Sequence, residues 1–445
     1  MISQKPMSEL GLTPDQAGSV RAFIQVKDSR LALAAASHAF YGEPAKKLTL
    51  TGVTGTKGKT TTTYLIRSIL TAAGIKTGMT GSVENDSGSE ITSAKETTPE
   101  SIDLARLYSK MAESGCKHAV TEVSSQALAL SRTAFCEFET GVFTNFYRDH
   151  ISLREHADME DYFNAKLKLF MMCRKAVVNA DIKEYSAIRE FCEKTGSCGT
   201  PITYSADAEG VNHKMADVRA ERIELVRGGG GFTRFYVETP WFAGTFSLGL
   251  PGRYNVSNAL AAIAVCGLYG APENAVAGGL GNVAVRGRTQ RIDEGQDFTV
   301  LVDFAHNAAS LEAILTMLRE YEFSSVTTVF GCGGTRSRDR RFEMGGVSGR
   351  LSGLTVVTSD NPRGEDPADI IADIETGLRG TGGKYIVIED RREAIRYAID
   401  SAPGGGLVLI AGKGHETGQE FADRTVPFDD AQTARELLRG AVRRA

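Results

Sequence analysis

The stretch L-T-L-T-G-V-T-G-T-K-G-K-T-T-T-T, residues 48–63, decides the fold of this chain. It runs from a short apolar segment, Leu48–Val53, through a glycine-rich turn into a helical sequence. A strand, a glycine turn and a helix in this order form a loop whose backbone N–H groups can bind phosphate. In such a loop Lys59 would reach the β- and γ-phosphates of a nucleotide, and the Thr60 hydroxyl would hold Mg²⁺. The stretch therefore predicts a nucleotide-binding α/β protein.

The spacing of this loop is a variant of the usual one. The pattern GxxxxGK[ST] would place its first glycine at position 53, which is Val53, and Gly52 lies one residue too early. An ordinary glycine–lysine turn is the alternative, but it does not explain the strand before, the helix after and the four consecutive threonines. The other residues predicted to bind the nucleotide here are Gly55, Thr56, Gly58 and Thr61.

Length and composition exclude several classes of protein. A chain of 445 residues predicts two or three domains. With 42% apolar and 24% charged residues, 48 Gly and 12 Pro, it is neither disordered, collagen-like nor a coiled coil. The net charge of −4 argues against nonspecific nucleic-acid binding and polybasic membrane attachment, so we expect small-molecule substrates and neither nucleic acid nor membrane as a partner.

The cysteines and the N-terminal sequence predict a cytoplasmic enzyme. The seven cysteines are odd in number, scattered and without CxxC spacing, which predicts reduced thiols, with neither zinc nor structural disulfides. The N-terminal sequence MISQKPMSEL has no signal-peptide apolar core. No apolar run approaches the length of a membrane span.

Short apolar segments alternate with longer helical stretches, which predicts two parallel sheets built from βα units. The first series of strand candidates is Leu48–Val53, His118–Val123, Gly141–Thr144 and Ala176–Asn179. The second series is Thr299–Val302, Ser325–Phe330, Leu354–Thr358, Tyr385–Ile388 and Leu407–Ala411. Between them, segments 219–226 and 232–237 flank the run Gly228–Gly231 and predict an antiparallel hairpin. An apolar helix is predicted over residues 260–267, following Asn255 and Asn258.

Nearly every predicted strand ends in a polar cluster, at the edge where open α/β sheets bind ligands. The clusters are TGTKGKTT, SSQ and NFYRDH in the first series, and DFAH, GCGGTR, SDNPR and GKGHE in the second. Glu122 is a natural second anchor for Mg²⁺ beside Thr60, because Mg²⁺ prefers carboxylate and phosphate oxygens. His150 is a less usual Mg²⁺ ligand, with a structural histidine as the alternative. Lys166, taken alone, reads as a solvated helix lysine.

These motifs, taken together and in order, resemble the Mur ligase family. The matching segments are VTGTKGKTTT, ETTPES, TEVSSQALALSR, FTNFYRDH, MEDYFNAKLKLF, LPGRYNVSNALAA, VDFAHN, FGCGG, SDNPR and AGKGHE. The resemblance implies a central P-loop ATPase domain with a parallel sheet over residues 47–285 and a C-terminal Rossmann-like α/β domain over residues 286–445. Residues 1–46 would be a remnant of the family's uridine-binding module.

The resemblance also implies the reaction. ATP would phosphorylate an acceptor carboxylate, and the amine of an amino acid would attack the resulting acyl phosphate. Lys166 would be carbamoylated and would orient the second of two Mg²⁺ ions. The family's catalytic positions match Lys59, Glu122, His150 and Lys166, and its metal positions match Thr60, Glu122, His150 and Lys166. Its ATP positions match Asn258, Arg288, Asp303 and His306, and its acceptor positions match Thr97, Thr98, Ser124 and Arg132.

The segment SDNPR resembles the signature of family members that add meso-diaminopimelate. Arg336 and Arg363 could hold the distal carboxylate of that amino acid through paired, charge-assisted bonds, and Glu416 could accept from an ammonium. The remaining residues of the predicted amino-acid pocket are Asp360, Asn361, Pro362 and Gly412. A surface turn around the proline is the alternative for this segment.

The reaction implied is addition of meso-diaminopimelate to UDP-N-acetylmuramoyl-L-alanyl-D-glutamate in peptidoglycan precursor synthesis. The chain departs from the family pattern at the acceptor end, where Glu96, Gln126 and Leu130 stand in place of the usual Asn, His and Gln. A related amide ligase with a different acceptor that carries no UDP therefore stays open. A non-catalytic nucleotide-binding regulator is the third hypothesis, and the intact set of predicted catalytic residues argues against it.

Overall fold

The computed structural model describes residues 1–149, 151–152, 155–226 and 232–442. His150 and the predicted glycine run Gly228–Gly231 lie outside the described residues. The chain forms two compact units. The first comprises Met1–Arg222, Phe235–Phe246 and Tyr254–Asn282, and the second comprises Ile223–Arg234, Ser247–Arg253 and Val283–Ala445.

The described part of the chain alternates strands with helices, as the βα pattern predicts. The strands are β1 (Ile2–Ser3), β2 (Ile24–Gln25), β3 (Thr49–Thr54), β4 (Thr77–Thr80), β5 (Glu84–Asp86), β6 (Ile91–Ser93), β7 (His118–Glu122), β8 (Phe138–Phe143), β9 (Cys173–Asn179), β10 (Ile202–Ser205), β11 (Val218–Leu225), β12 (Thr233–Glu238), β13 (Ala243–Leu248), β14 (Gln290–Ile292), β15 (Thr299–Asp303), β16 (Val326–Phe330), β17 (Leu354–Val357), β18 (Tyr385–Val387), β19 (Leu407–Ala411), β20 (Gly418–Glu420) and β21 (Thr425–Pro427).

The α-helices are α1 (Pro14–Gly18), α2 (Ser29–Phe40), α3 (Lys59–Ala72), α4 (Ser101–Glu113), α5 (Ser125–Ala129), α6 (Met159–Leu167), α7 (Tyr185–Thr195), α8 (Arg253–Leu268), α9 (Glu273–Gly281), α10 (Ala308–Arg319), α11 (Asp339–Leu351), α12 (Pro367–Arg379), α13 (Arg391–Asp400) and α14 (Asp430–Val442). None of these described helices is long and apolar enough to span a membrane.

The larger sheet has the strand order β13-β12-β11-β10-β9-β8-β3-β7-β4-β5-β6. The seven strands that lie next to one another from β11 to β4 in this order are parallel. β3 lies between β7 and β8, with Val53 in register with Glu122 and with Val142. The carboxyl ends of these three strands therefore reach the same edge. This confirms the predicted α/β class and brings the clusters after β3, β7 and β8 together.

The second sheet has the order β14-β15-β19-β16-β17-β18, and it is parallel except for β14. All five residues of its central strand β19 are buried, because apolar clusters cover both faces of the sheet. A strand covered on both faces becomes a continuous apolar run, which is why the sequence predicts β19 with its observed bounds. The segments after β15, β16, β17 and β19 carry the remaining polar clusters.

Three predicted elements begin at least three residues earlier in the structure, one of them strand β8, which begins at Phe138 rather than at Gly141. The helix predicted over residues 260–267 begins earlier, as α8, because Asn255 and Asn258 are buried inside it and hydrogen-bond to each other at 3.0 Å. Strand β9 begins at Cys173 rather than at Ala176. Its second and third residues, Arg174 and Lys175, are charged, and Lys175 forms an ion pair of 3.2 Å with Glu139 on β8, a cross-strand contact that apolar patterning does not reveal.

Candidate active site

The phosphate-binding loop predicted from the sequence lies between β3 and α3. Gly58 has a positive φ of 82° and caps α3, whose first residue is Lys59. A Cβ atom on Gly58 would collide with the side-chain oxygen of Asn258, and one on Gly55 would collide with the Thr144 hydroxyl. Glycine is therefore required at both positions by backbone conformation or by close packing. Asn258, a predicted ATP contact on α8, thus lies beside the loop.

The Lys59 ammonium points back over this loop. Its Nζ donates hydrogen bonds of 2.9 and 3.0 Å to the backbone oxygens of Gly55 and Thr56. The loop is fixed from its other side by Asn145, whose side chain accepts from the Lys57 N–H at 2.8 Å and donates to the Lys57 carbonyl at 3.0 Å. A cation held over a glycine-rich helix N-terminus is an arrangement suited to binding phosphate.

Thr60 and Glu122 form the candidate Mg²⁺ position. The Thr60 hydroxyl donates to Glu122 Oε2 at 3.0 Å, and Ser82 donates its N–H to Oε1 at 2.8 Å and its hydroxyl to Oε2 at 3.0 Å. Glu122 is 1% exposed, and burial raises the pKa of its carboxyl group, although the Ser82 N–H and the Lys59 charge oppose that shift. A carboxylate beside a hydroxyl fits Mg²⁺, and a cation there would offset the cost of burying the charge.

Among the described residues, no group of three His, Cys, Asp or Glu side chains is arranged to hold a metal. In phosphoryl-transfer enzymes Mg²⁺ is held by one or two protein carboxylates together with phosphate oxygens and water, and Thr60 and Glu122 fit such a site. His150, the other predicted protein ligand, lies outside the described residues.

Lys166 is buried, so its interpretation as a solvated helix lysine is wrong. Its side chain is 1% exposed, and Nζ donates to the Gly55 carbonyl at 2.9 Å. The same Nζ lies 4.4 Å from the centre of the Tyr162 ring, and the Tyr162 hydroxyl donates to Thr56 Oγ1 at 3.2 Å. Burial, together with the positive charge of Lys59, holds the pKa of the Lys166 amine well below its ordinary value.

A cavity of about 300 Å³ opens beside the phosphate-binding loop. All four residues predicted to bind the acceptor lie in its wall, together with both lysines; the lining is Lys59, Glu96, Thr97, Thr98, Ser124, Ser125, Gln126, Arg132, Glu155 and Lys166. Thr98 ties two parts of this wall together, because its hydroxyl donates to the Glu122 carbonyl at 2.8 Å and accepts from the Ser124 N–H at 3.0 Å. The cavity, referred to below as the acceptor cavity, can place a carboxylate beside the phosphate loop.

The second unit has its own cavity, of about 250 Å³, at the carboxyl edge of its parallel sheet. It contains every predicted amino-acid-binding residue except Pro362; the lining is Phe304, His306, Gly331, Cys332, Gly333, Arg336, Arg340, Asp360, Asn361, Arg363, Gly412 and Glu416. We refer to it below as the arginine cavity. Arg336 and Arg363 reach it from the loops after β16 and β17, which are neighbouring parallel strands.

Arg363 is held in a fixed orientation. Its φ of 53° is in the left-handed region, and its backbone N–H donates to the Glu420 carbonyl at 2.9 Å. Its Nε donates to the Glu420 carboxylate at 2.7 Å, and Nη1 donates to the Gly334 carbonyl at 3.0 Å. The left-handed conformation is unfavourable for a non-glycine residue, and here several hydrogen bonds maintain it. Residues held in this way are found at functional sites.

Glu416, the predicted acceptor of an ammonium, is held through one oxygen. Its Oε2 accepts from Asn361 Nδ2 at 2.8 Å and from Lys413 Nζ at 3.1 Å. Lys413 is fully buried and also donates to Asn361 Oδ1 at 2.8 Å. Asp360, another predicted amino-acid-binding residue, is buried. Burial raises the pKa of its carboxyl group, and the positive charge of the nearby Arg391 opposes this shift.

Of the predicted nucleotide contacts in the second unit, Arg288 precedes β14, Asp303 ends β15 and His306 follows β15. Asp303 Oδ2 accepts from the Thr289 N–H at 2.7 Å, and desolvation raises the pKa of this carboxyl, with Arg288 among the opposing charges. The Arg288 guanidinium lies 5.1 Å from the centre of the Phe304 ring. His306 is exposed, shares a 2.8 Å hydrogen bond with the Phe304 carbonyl and also lines the arginine cavity.

Comparison with known proteins identifies the family. A model of the Mur ligase middle domain matches residues 53–266, and a model described as the Mur ligase, glutamate ligase domain matches residues 287–414. A protein of Caldanaerobacter subterraneus named UDP-N-acetylmuramoyl-L-alanyl-D-glutamate–2,6-diaminopimelate ligase is 41% identical over 93% of this chain and 83% of its own length.

This chain belongs to the Mur ligase family.

Two further similarities support the assignment, and a third shows the fold alone. A protein of Solibacter usitatus with the same name as the Caldanaerobacter protein is 42% identical to this Mur ligase over 98% of the chain and 85% of its own length. A solved structure of a ligase of that name has a TM-score of 0.73 and 27% identity, and the match covers 99% of this chain and 86% of the other. Folylpolyglutamate synthase from Thermotoga maritima, at a TM-score of 0.65 and 18% identity, shares the fold.

Sequence reasoning misses several side chains that hold the site of this Mur ligase together. Tyr162 lies one helical turn before Lys166, and that i, i+4 spacing is the one signal that could have suggested their contact. Ser82 follows Gly81 and carries no distinctive pattern, whereas Lys413 lies within the quoted cluster GKGHE, and its place between two glycines is the signal that could have identified it. Arg391 pairs with Asp430 through two bonds of 2.8 Å and lies 3.8 Å from Asp360. It is the first residue of an ordinary amphipathic helix, so the sequence does not distinguish it.

Proposed function

We propose that this Mur ligase adds meso-diaminopimelate to UDP-N-acetylmuramoyl-L-alanyl-D-glutamate, in an ATP- and Mg²⁺-dependent step of cytoplasmic peptidoglycan precursor synthesis. The observation that carries the proposal is the similarity over nearly the whole chain to relatives named for this reaction, at 41 and 42% identity. The two cavities described above support it, because one combines a phosphate loop with predicted acceptor residues and the other combines arginines with carboxylates.

The acceptor cavity supports activation of a carboxylate. Lys59 and Arg132 line it, so an acceptor carboxylate oriented by Arg132 can approach the phosphate loop, while Lys59 offsets the charge of the transferring phosphoryl group. Mg²⁺, held by Thr60 and Glu122, would stabilise the same charge. We assign ATP binding to residues 47–285, amino-acid binding to residues 286–445, and residues 1–46 to a remnant of a uridine-binding module.

Carbamoylation of Lys166 is part of this proposal. The amine is buried, lies 2.9 Å from the loop carbonyl of Gly55 and lines the acceptor cavity, so a carbamate there would present an anion to a second Mg²⁺ ion. Carbon dioxide reacts with the neutral form of an amine, and the lowered pKa of Lys166 favours that form.

The arginine cavity supports selection of an amino acid with an extra carboxylate. Arg336 and Arg363 can present guanidinium groups to the distal carboxylate, and Glu416 and Asp360 can accept from an ammonium. L-Lysine lacks the distal carboxylate, so it would supply no anion to Arg336 and would leave Arg363 with Glu420 as its carboxylate partner. We therefore expect L-lysine to be a very poor substrate.

Replacement of Arg363 by lysine tests the arginine cavity. Lysine keeps the charge but cannot bond to Glu420 and Gly334 while it also presents a planar fork to substrate, so the KM for meso-diaminopimelate should rise about tenfold or more. The KM for ATP should change little. Steady-state kinetics on the variant measure both values. Arg392→Lys, an exposed arginine paired with Glu436 at 2.9 Å, is the matched control, and an unchanged amino-acid KM in Arg363→Lys would contradict the assignment.

The experiment that tests the whole proposal compares acceptors and amino acids on the wild-type protein. ADP release and product mass are measured with UDP-N-acetylmuramoyl-L-alanyl-D-glutamate or free L-alanyl-D-glutamate, each with meso-diaminopimelate or L-lysine. Turnover only with the nucleotide acceptor and meso-diaminopimelate is expected. Turnover on the free dipeptide would favour the ligase with a different acceptor, and equal use of L-lysine would remove the amino-acid assignment.

A further inference from the structure

The guanidinium of Arg132, in the acceptor cavity, is held by two carboxylates of the protein itself. Nη1 forms an ion pair with Glu96 and donates to the Thr98 carbonyl at 3.0 Å, while Nη2 lies 2.7 Å from the Glu100 carboxylate. The buried Nε–H of Arg132 has no hydrogen-bond partner among the described residues. One positive charge thus faces two negative charges in a wall that is predicted to receive an anionic acceptor.

The two carboxylates hold Arg132 from different places. Glu96 lines the acceptor cavity together with Lys59 and Lys166, and its side chain is 45% exposed. Glu100 is absent from the lining of that cavity, immediately precedes α4 without a side-chain capping bond and lies 3.6 Å from Arg30. Glu96 therefore lies in the acceptor cavity beside Arg132, whereas Glu100 does not, although both glutamates also line a second cavity.

We propose that Glu96 is a specificity-determining residue that occupies Arg132 in the ligand-free protein and is displaced by a carboxylate of the acceptor. The inference rests on the proposed function, since it assumes an anionic acceptor. An acceptor carboxylate that reaches Arg132 exchanges one ion pair for another, so its affinity is lower than an uncontested arginine would give. A ligand without that carboxylate leaves the Glu96–Arg132 pair intact and gains nothing from Arg132.

Glu96→Gln and Glu100→Gln should therefore act in opposite directions. Glutamine at position 96 removes the competing charge, so the Kd for UDP-N-acetylmuramoyl-L-alanyl-D-glutamate should fall. The expected decrease is about fivefold, which corresponds to the free energy that an exposed ion pair contributes. Glutamine at position 100 loosens the support of Arg132, so the Kd should rise. The Kd for ATP should stay at the wild-type value in both variants. Titration calorimetry measures these constants, and a Kd in Glu96→Gln equal to or above the wild-type value overturns the proposal.

A residue that only orients Arg132 would give the opposite result at position 96, because its loss would weaken acceptor binding. Glu96→Ala serves as a second variant, and thermal unfolding midpoints near that of the wild type show that both position-96 variants are folded. The same titrations with free L-alanyl-D-glutamate do not require turnover. Absence of ligation by the wild-type protein would remove the proposed function, whereas failure of Glu96→Gln to bind either ligand more tightly would remove the role of Glu96.

Discussion

Replacement of Lys59 by alanine is expected to abolish ATP-dependent ligation while the fold stays intact. The Lys59 ammonium is held over the phosphate loop by the carbonyls of Gly55 and Thr56 and lines the acceptor cavity, so its charge is positioned before the nucleotide arrives. Removal of a pre-positioned electrostatic group of this kind lowers kcat by about 10²–10³. The measurement is acceptor-dependent phosphate release at saturating ATP.

The neighbouring Lys57 provides a matched control for this prediction. It lies on the same loop, but its side chain is 72% exposed and pairs with Asp149 at 3.0 Å. Lys57→Ala should therefore lower turnover far less than Lys59→Ala does. Both variants should unfold near the wild-type temperature, because neither lysine belongs to an apolar core. A folded Lys59→Ala protein with nearly normal turnover would be incompatible with the phosphate-loop assignment.

The parts of the fold that the sequence predicts are those where local pattern and burial agree. Strands β3 and β19 are apolar runs beside glycine turns, and each is predicted to within one residue. Strand β5, with the sequence Glu84-Asn85-Asp86, is not predicted, since its three residues are polar and yet buried. Asp86 is paired with Arg67 of α3, which lies 19 positions away in the sequence. Such tertiary pairing leaves no local signal.

The same distinction applies to the candidate site. Linear motifs place Lys59, Glu122 and Arg363 at strand ends, where parallel pairing brings neighbouring loops together. The ion pairs that hold the motifs are long-range: Arg132 meets Glu96 across 36 positions and Arg391 meets Asp430 across 39. No periodicity in the sequence indicates either pair, so the support of the site becomes visible only in the structure.

Replacement of Lys166 by alanine is the second change with a large expected effect. If the buried amine carries a carbamate that orients a metal ion, its loss should lower kcat by about a hundredfold or more. Added acetate or formate should restore part of the activity, because a small carboxylate can enter the space left by the side chain. Activity at increasing carboxylate concentration measures the rescue, and the Lys59→Ala protein, which should not be rescued, is the control.

A role for Lys166 as a simple cation predicts different results. Lys166→Arg would then keep much of the activity, and carboxylates would not rescue Lys166→Ala, since they carry the wrong charge. The amine is 1% exposed, and burial together with the Lys59 charge disfavours its protonated form, which argues against a simple cation at this position. Carbon-13 labelling with bicarbonate should give a carbamate signal in the wild type that is absent from Lys166→Ala. An unlabelled wild-type protein with full activity would show that Lys166 acts as the free amine.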